Sequence, residues 1–198
     1  MGANFGLADS DEHGGAASMK EQSTTFAVVL SGPPGSGKTA VLIALADALS
    51  DDDLAHAALD VEAFAWVHPA PSDEQRRRSI ATMCNLHREA GHRLLLVADT
   101  VETEDDLARL LDSIGAHDYL LVRLEARPET LRKRIIEREP EGWWGLPELL
   151  DHATALAATM PNLDAFDLVV NTDGERPETV ADRIRAARPG QLGARSGS

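Results

Sequence analysis

A glycine-rich segment of eight residues, GPPGSGKT at positions 32–39, constrains this chain more than any other feature. It matches the pattern G-x-x-x-x-G-K-[ST] at every position. The glycines let the backbone curl so that successive N–H groups point at one anion, and the dipole of a helix starting there adds to the attraction. Because such a loop connects a buried strand to a helix, the segment predicts a phosphate-binding site at the beginning of an α/β fold.

The flanking residues have the patterns that this loop requires. Residues 26–31 (FAVVLS) are a short apolar run typical of a buried strand, and residues 39–49 (TAVLIALADAL) are typical of a buried helix. Within the loop, we predict that Lys38 brings its charge to the phosphates of a nucleotide and that the Thr39 hydroxyl binds Mg²⁺. The predicted nucleotide-binding residues of the loop are Gly32, Pro33, Pro34, Gly35, Ser36, Gly37, Lys38 and Thr39.

Strand and helix patterns alternate along the rest of the chain. Further strands are predicted at 55–60, 93–98, 119–124 and 167–171, and further helices at 72–90, 104–114, 128–139, 146–160 and 177–187. Five apolar strands separated by helices predict a parallel sheet with helices on both faces. Ligands of such sheets bind outside the carboxyl ends of the strands, so the polar residues that directly follow each strand are the candidates for the site.

Composition and charge exclude several other classes of protein. Of the 198 residues, 43% are hydrophobic and 26% charged, which are the values of a globular domain. The net charge of −14 has the wrong sign for binding a nucleic-acid backbone, and the single cysteine, Cys84, excludes an internal disulfide. No apolar run is long enough for a membrane span and no signal-peptide pattern is present. We therefore predict a cytoplasmic protein with no nucleic-acid or membrane partner.

The two ends of the chain differ in composition from its middle. Residues 1–25 are rich in Gly, Ala, Ser and acidic residues, without periodicity, and residues 188–198 (RPGQLGARSGS) have a similar character. Such segments bury too little apolar surface to offset the entropy of ordering. We predict a disordered N-terminal extension at 1–25, one folded domain at 26–187 and a disordered C-terminal tail at 188–198, with Met19 as an alternative start.

Four further features follow the phosphate-binding loop in a fixed order. Asp60 ends the second strand and Asp99 ends the third, residues 131–138 (LRKRIIER) are a basic helix, and residues 170–174 (VNTDG) follow the fifth strand. With the loop, they resemble the P-loop small-molecule kinases: nucleoside monophosphate, shikimate and gluconate kinases and chloramphenicol phosphotransferase. The resemblance covers the whole core as an order of motifs. It implies the three-layer P-loop NTPase fold with a short lid, and transfer of a phosphoryl group from Mg-ATP to a hydroxylated small molecule.

The resemblance implies different roles for the two carboxylates. Asp60 is predicted to orient or deprotonate the acceptor hydroxyl, with Glu62 able to share the role, because a carboxylate accepts the hydroxyl proton during transfer. Asp99 resembles a Walker B carboxylate and is predicted to hold Mg²⁺ together with Thr39. Thr100 and Glu102 follow on the same loop as possible substrate contacts. The alternative for Asp60 is a solvated loop acid, and for Asp99 an apolar run that ends in Asp is by itself a common pattern.

The resemblance also implies roles for two arginines of the basic helix. Arg134 is predicted to stack on the adenine and Arg138 to contact the phosphates, since residues four apart share one face of a helix. The flat, permanently charged guanidinium suits both tasks. The alternative is a solvated helix with Glu partners. Thr172, in the turn after the fifth strand, is predicted to border the adenine. The predicted catalytic residues are Lys38, Asp60 and Arg138.

The chain also departs from the better-known kinases. Its lid segment, residues 139–147 (EPEGWWGLP), is short and lacks the four cysteines of a metal-binding lid. Trp143 and Trp144 either close over a bound molecule or anchor the segment. Residues 76–78 are three consecutive arginines, for which a solvated helix face is the favoured interpretation. No signature in the acceptor region specifies the acceptor.

Two other classes of P-loop protein are alternatives to a kinase. One binds or hydrolyses nucleotide without a small-molecule acceptor, and the other is a degenerate scaffold. A GTPase requires an N-K-x-D motif, which Asn171-Thr172-Asp173-Gly174 does not match. Intact Lys38 and Thr39 argue against a degenerate loop. The resemblance to the kinases, together with the missing guanine motif, predicts ATP with Mg²⁺ as the nucleotide, and a kinase is the predicted class.

Overall fold

The computed structural model describes residues 24–65 and 67–193. Its elements in chain order are β1 (Phe26–Ser31), α1 (Lys38–Asp51), β2 (His56–Asp60), a 3₁₀ turn (Val61–Ala65), α2 (Asp73–Glu89), β3 (Leu94–Ala98), α3 (Glu104–Ile114), β4 (Asp118–Glu125), α4 (Pro128–Arg138), α5 (Leu146–Thr159), a 3₁₀ turn (Met160–Asn162), β5 (Leu168–Asn171), α6 (Pro177–Ala187) and α7 (Pro189–Leu192). The predicted bounds of the strands and of α1 to α6 agree with these within two residues at each end.

The five strands form one parallel sheet in the order β2-β3-β1-β4-β5. Successive side chains of a strand point to opposite faces, and the central strand β1 shows this clearly. Val28 and Leu30 pack in one core with α1 and α6, whereas Ala27 and Val29 pack in the other with α2 and α3. All six residues of β1 are buried. The predicted parallel sheet with helices on both faces is confirmed.

The register of the sheet brings the candidate site together. Leu30 of β1 and Asp60 of β2 are both level with Ala98 of β3. Because the three strands are parallel, their carboxyl ends lie at one edge of the sheet. The glycine-rich loop after β1, the turn after β2 and Asp99 after β3 therefore meet at that edge.

The folded part extends beyond the predicted end of the domain at residue 187. Leu192, on the short helix α7, is fully buried in the core with α1 and α6. The buried Arg185 donates from Nε to the Leu192 carbonyl at 2.9 Å and also binds Asp52 and the Gly193 carbonyl. A single leucine in a polar segment has no periodicity, so composition predicted disorder from residue 188. Residues 1–23 and 194–198 lie outside the described part.

No helix within the described residues is long and apolar enough to cross a membrane.

The buried position of Leu192 generates a test of stability. Leu192→Ala should lower the free energy of unfolding by about 2–3 kcal/mol, because it leaves a cavity in a core that includes α1 and α6. Gln191→Ala, at the exposed neighbouring position, is the matched control and should change the free energy of unfolding by less than about 0.5 kcal/mol. Urea unfolding followed by circular dichroism measures both. Equal, small effects would show that α7 does not contribute to the core.

Candidate active site

The glycines of the phosphate-binding loop are required by its close contacts. A Cβ on Gly32 would collide with the Leu124 carbonyl of β4, and one on Gly35 would lie 2.7 Å from the Leu131 carbonyl of α4. Gly35 and Gly37 have φ angles of 81° and 97°, which favour glycine. Gly37 also precedes the first residue of α1, so the loop ends at the positive end of that helix dipole.

Lys38 is held at the mouth of this loop. Its side chain is buried, and Nζ donates to the Gly32 carbonyl at 2.9 Å while lying 3.1 Å from Glu62 Oε1. Lys38 lines a cavity of about 400 Å³, the phosphate cavity, together with loop residues, Thr39, Arg134 and Arg138. The ammonium is therefore fixed by two oxygen atoms beside the space that a bound phosphate would occupy.

Asp60 is placed directly against the loop by the register of β2. Its Oδ2 accepts a hydrogen bond from the Thr39 hydroxyl at 2.6 Å, and its Oδ1 accepts one from the Glu62 N–H at 3.2 Å. One hydroxyl and one carboxylate oxygen thus lie together at the start of α1. Both are oxygen ligands of the kind that Mg²⁺ prefers.

Glu62 occupies the turn after β2 and faces Lys38. Its Oε1 accepts hydrogen bonds from the Lys38 ammonium and the Thr100 hydroxyl. Burial alone would raise the pKa of Glu62, but the charge of Lys38 and these hydrogen bonds outweigh burial and hold the pKa below its usual value. Glu62 is therefore ionised at neutral pH and is available as an acceptor of hydrogen bonds.

Asp99 lies in a different environment from the one predicted for a metal ligand. It is 2% exposed, and its Oδ1 accepts from Arg76 Nη2 at 2.6 Å and from the Thr100 N–H at 2.8 Å. Burial raises the pKa of Asp99, and the charge and hydrogen bond of Arg76 offset this only in part. The contact to the Thr39 hydroxyl is made by Asp60, and Asp99 is bound to α2.

A second cavity, also of about 400 Å³, adjoins the phosphate cavity. Both are lined by Glu62, Thr100 and Glu102, so these residues form the shared wall. Arg76 and Arg77 line the second cavity, whereas Arg78 pairs with Glu74 on the outer face of α2.

Sequence reasoning missed the pairing of Arg76 with Asp99. The capping box of Ser72, which fixes the start of α2, was the available signal for where Arg76 would point.

Arg134 connects the basic helix to the loop and to β5. Its guanidinium donates to the Gly35 carbonyl at 3.2 Å, the Thr172 hydroxyl at 3.0 Å and the Thr172 carbonyl at 2.7 Å. The Thr172 hydroxyl also bonds the Ser36 carbonyl at 3.0 Å. Arg134 and Thr172 thus lie together at the loop, as the predicted nucleotide site requires, and adenine stacking by Arg134 stays a prediction.

Arg138, the two tryptophans and His152 lie on the side of the phosphate cavity next to the predicted lid, residues 139–147. Arg138 is exposed and pairs with Glu139 at 2.6 Å, one residue beyond the end of α4. Trp143 and Trp144 have ring centroids 6.4 Å apart, and Trp144 is 86% exposed. His152 of α5 lies 3.3 Å from Glu102 and lines the phosphate cavity. The roles predicted for Arg138 and the tryptophans stay predictions.

The raised pKa of Asp99 generates a test by pH. The native state holds the Asp99 proton more tightly than the unfolded state, so this group's contribution to stability is full below the unfolded pKa of about 3.9 and is lost as pH rises through the folded pKa. Asn cannot titrate. Relative to the unsubstituted protein, Asp99→Asn should therefore become progressively more stable as pH rises above about 4. Urea unfolding from pH 4.5 to 7 measures the difference, and a constant or falling difference contradicts the assignment.

Comparisons with known proteins give a result at the level of structure. No protein-family model matches the chain, and no curated protein matches its sequence. A sugar kinase from Janibacter sp. HTCC2649 is 20% identical with a TM-score of 0.56, over 82% of this chain and 93% of that one. A gluconokinase from Sinorhizobium meliloti 1021 is 19% identical with a TM-score of 0.57, over 86% and 97%. The Mycobacterium tuberculosis APS kinase is 15% identical with a TM-score of 0.57, over 82% and 96%.

These similar structures belong to P-loop small-molecule kinases, the group that the order of motifs resembles. At 15% to 20% identity, the likeness concerns the fold. The chain has the three-layer α/β fold of the P-loop small-molecule kinases.

Proposed function

We propose that the protein is a kinase that transfers the γ-phosphoryl group of Mg-ATP to a hydroxyl group of a small molecule. The observation that carries this proposal is the second cavity, which adjoins the phosphate cavity through Glu62, Thr100 and Glu102. An ATPase needs room only for a water molecule beside the phosphates. A separate cavity of about 400 Å³ on the same wall favours a kinase, because an acceptor must lie next to the group transferred.

The residues around the phosphate cavity fit a nucleotide with its metal ion. The glycine-lined loop leaves room for close approach of phosphate oxygens, and Lys38 and the start of α1 supply positive charge. Mg²⁺ binds through one or two protein oxygens and keeps water on its other sides. We assign this role to Thr39 and Asp60, whose oxygens are 2.6 Å apart, in place of Asp99.

Glu62 takes the acceptor-facing role that the sequence interpretation gave first to Asp60. It is ionised, it lies on the wall between the two cavities, and its carboxylate is oriented by Lys38 and Thr100. When bound, Mg-ATP supplies the phosphoryl group that bonds to the acceptor oxygen as ADP leaves. Glu62 orients the acceptor hydroxyl and takes its proton. Lys38 and Arg138 contribute positive charge at the phosphates.

An acceptor screen tests the proposal directly. ADP formation should be slow with Mg-ATP alone and should increase with one chemical class of hydroxylated small molecule, whose phosphorylated product is identified by mass spectrometry. ADP formation that no acceptor increases, with phosphate released to water, would identify an ATPase instead.

The position of Lys38 generates the first prediction for activity. Lys38→Ala should reduce phosphoryl transfer by about 10²–10³, because it removes a preorganised positive charge at the phosphates. Lys133→Ala, an exposed lysine of α4 outside both cavities, is the control and should retain full activity. Steady-state ADP formation measures both variants after circular dichroism has confirmed their folding. Near-normal turnover in Lys38→Ala would reject a catalytic role for this loop.

The separate positions of Asp60 and Glu62 generate a second prediction. Asp60→Asn should raise the Mg²⁺ concentration needed for activity, and added Mg²⁺ should restore part of the rate. Glu62→Gln should reduce transfer by about 10²–10⁴ without such rescue, because the amide cannot accept the hydroxyl proton. A Mg²⁺ titration of both variants, with nucleotide affinity measured by calorimetry, separates the two roles. Rescue of Glu62→Gln but not Asp60→Asn would reverse the assignment.

A further inference from the structure

Asp99 is a buried carboxylate of the second cavity to which the proposed reaction gives no role. Its two hydrogen bonds with described residues both go to Oδ1, one from Arg76 Nη2 and one from the Thr100 N–H. Oδ2 accepts no hydrogen bond from any described residue. A buried carboxylate oxygen without a donor is costly, so a hydrogen-bond donor on a molecule in the cavity would gain by meeting it.

Arg76 has unused donors beside this oxygen. A guanidinium group has five N–H donors, and Nη2 is the only nitrogen of Arg76 that donates to a described residue. The side chain of Arg76 is partly exposed and lines the second cavity. The contact with Asp99 is made through one carboxylate oxygen. The pair therefore presents both an open acceptor and open donors to the cavity.

Another aspartate of the same cavity is paired in a different way. Asp106 binds Arg109 at 2.7 Å, and the two side chains are 38% and 50% exposed. Both Asp106 oxygens are used, Oδ1 by Arg109 and Oδ2 by the Thr103 hydroxyl. Exposed pairs of this kind contribute little to binding. Asp99 differs because it is buried and has one oxygen unused.

Thr100 places Asp99 next to the residue proposed to orient the acceptor. Its N–H donates to Asp99, and its hydroxyl donates to Glu62. A single residue therefore connects the two carboxylates, and all three residues line the second cavity. A small molecule with one hydroxyl group at Glu62 thus has another part close to Asp99.

The group that fits the Arg76–Asp99 pair is neutral, and it both donates and accepts. A hydroxyl donates to Asp99 Oδ2 and accepts from an N–H of Arg76, which leaves the pair intact. A carboxylate on the ligand would compete with Asp99 for Arg76 and leave a buried charge without its partner. An ammonium group cannot accept from Arg76 and is repelled by its charge.

Apolar side chains form another part of the cavity wall. Ile80, Val101 and Leu110 line the cavity, and all three are buried. They offer contacts to the C–H groups of a ligand between its hydroxyls. An apolar surface with a few placed polar groups is the usual composition of a small-molecule site.

We propose that Arg76 and Asp99 bind a second hydroxyl group of the acceptor, one that is not phosphorylated, and so select a neutral polyol. This inference rests on the proposed kinase function and names the substrate class of that site. One hydroxyl of the polyol faces Glu62 and the phosphates, while another donates to Asp99 Oδ2 and accepts from Arg76. An acceptor that fills the cavity without this second hydroxyl leaves Oδ2 unsatisfied.

Deoxy analogues test the second hydroxyl. The probes are neutral monosaccharides and cyclitols, their monodeoxy and monoamino forms, and simple monohydric alcohols and sugar acids. At least one neutral polyol should increase ADP formation. Removal of one hydroxyl other than the phosphorylated one should lower kcat/KM by about 10- to 100-fold, and an ammonium group in its place should lower kcat/KM as well.

The possible failures of this test are distinguishable. Equal kcat/KM for every monodeoxy form that keeps the phosphorylated hydroxyl overturns the inference, as does turnover of charged or monohydric acceptors alone. Both results leave the kinase function standing. ADP formation that none of the probes increases overturns both.

A matched pair of variants locates the contact. Asp99→Asn should lower the ratio of kcat/KM for the polyol over its poorest monodeoxy form by about fivefold or more, because the amide replaces the unused carboxylate oxygen. Asp106→Asn makes the same change at the pair whose oxygens are both used, and should leave the ratio unchanged. Damage to the fold alone would lower kcat/KM for both acceptors and leave their ratio unchanged.

A second variant covers the case in which Asp99→Asn does not fold. Arg76→Lys keeps a positive charge beside Asp99 but removes the planar set of donors, so it should lower the same ratio. Ratios in Asp99→Asn and Arg76→Lys equal to that of the unsubstituted protein would overturn the assignment to this pair.

Discussion

The site depends on the parallel pairing of β1 with β3 and β4. All six residues of β1 are buried, so its register is set by packing on two faces at once. A slip by one residue would exchange the side chains of the two cores. The same register brings the ends of β1, β2 and β3 level, and every charged group of the phosphate cavity is positioned from those ends or from α1 and α4. Hydrophobic packing thus fixes where the charges lie.

The charged groups at this edge divide into two systems with different partners. Lys38 and Thr100 both bond to Glu62 beside the loop, and Thr39 donates to Asp60. Asp99 is bound instead to Arg76 in the second cavity. Glu62 and Asp99, each in contact with a basic group, have opposite shifts, since the pKa of Glu62 is lowered and that of Asp99 is raised. Burial dominates at Asp99, whereas Lys38 and hydrogen bonds dominate at Glu62.

The sequence predicted the features that depend on neighbouring residues. The loop, the five strands and the six longer helices follow from local patterns of glycine, apolar residues and caps, and the structure has them. The partners of the acids depend instead on side-chain direction after the chain has folded. Asp60 is the last residue of β2 and Asp99 directly follows β3, and nothing in the two patterns distinguishes which one meets Thr39. The burial of Leu192 was missed because a single leucine in a polar segment gives no periodic signal.

The bonds of Arg134 have a mechanical consequence. They tie α4 to the loop and to β5, and Leu131 and Ile135 of the same helix are fully buried. A segment hinged on this helix therefore has a rigid base that ends near Arg138. Residues 139–145, which contain Gly142 at a φ of 76° and the two tryptophans, therefore begin at a fixed point. A displacement of that segment would thus not reach the phosphate-binding loop through α4, because Arg134 and the buried face of the helix hold the loop in place.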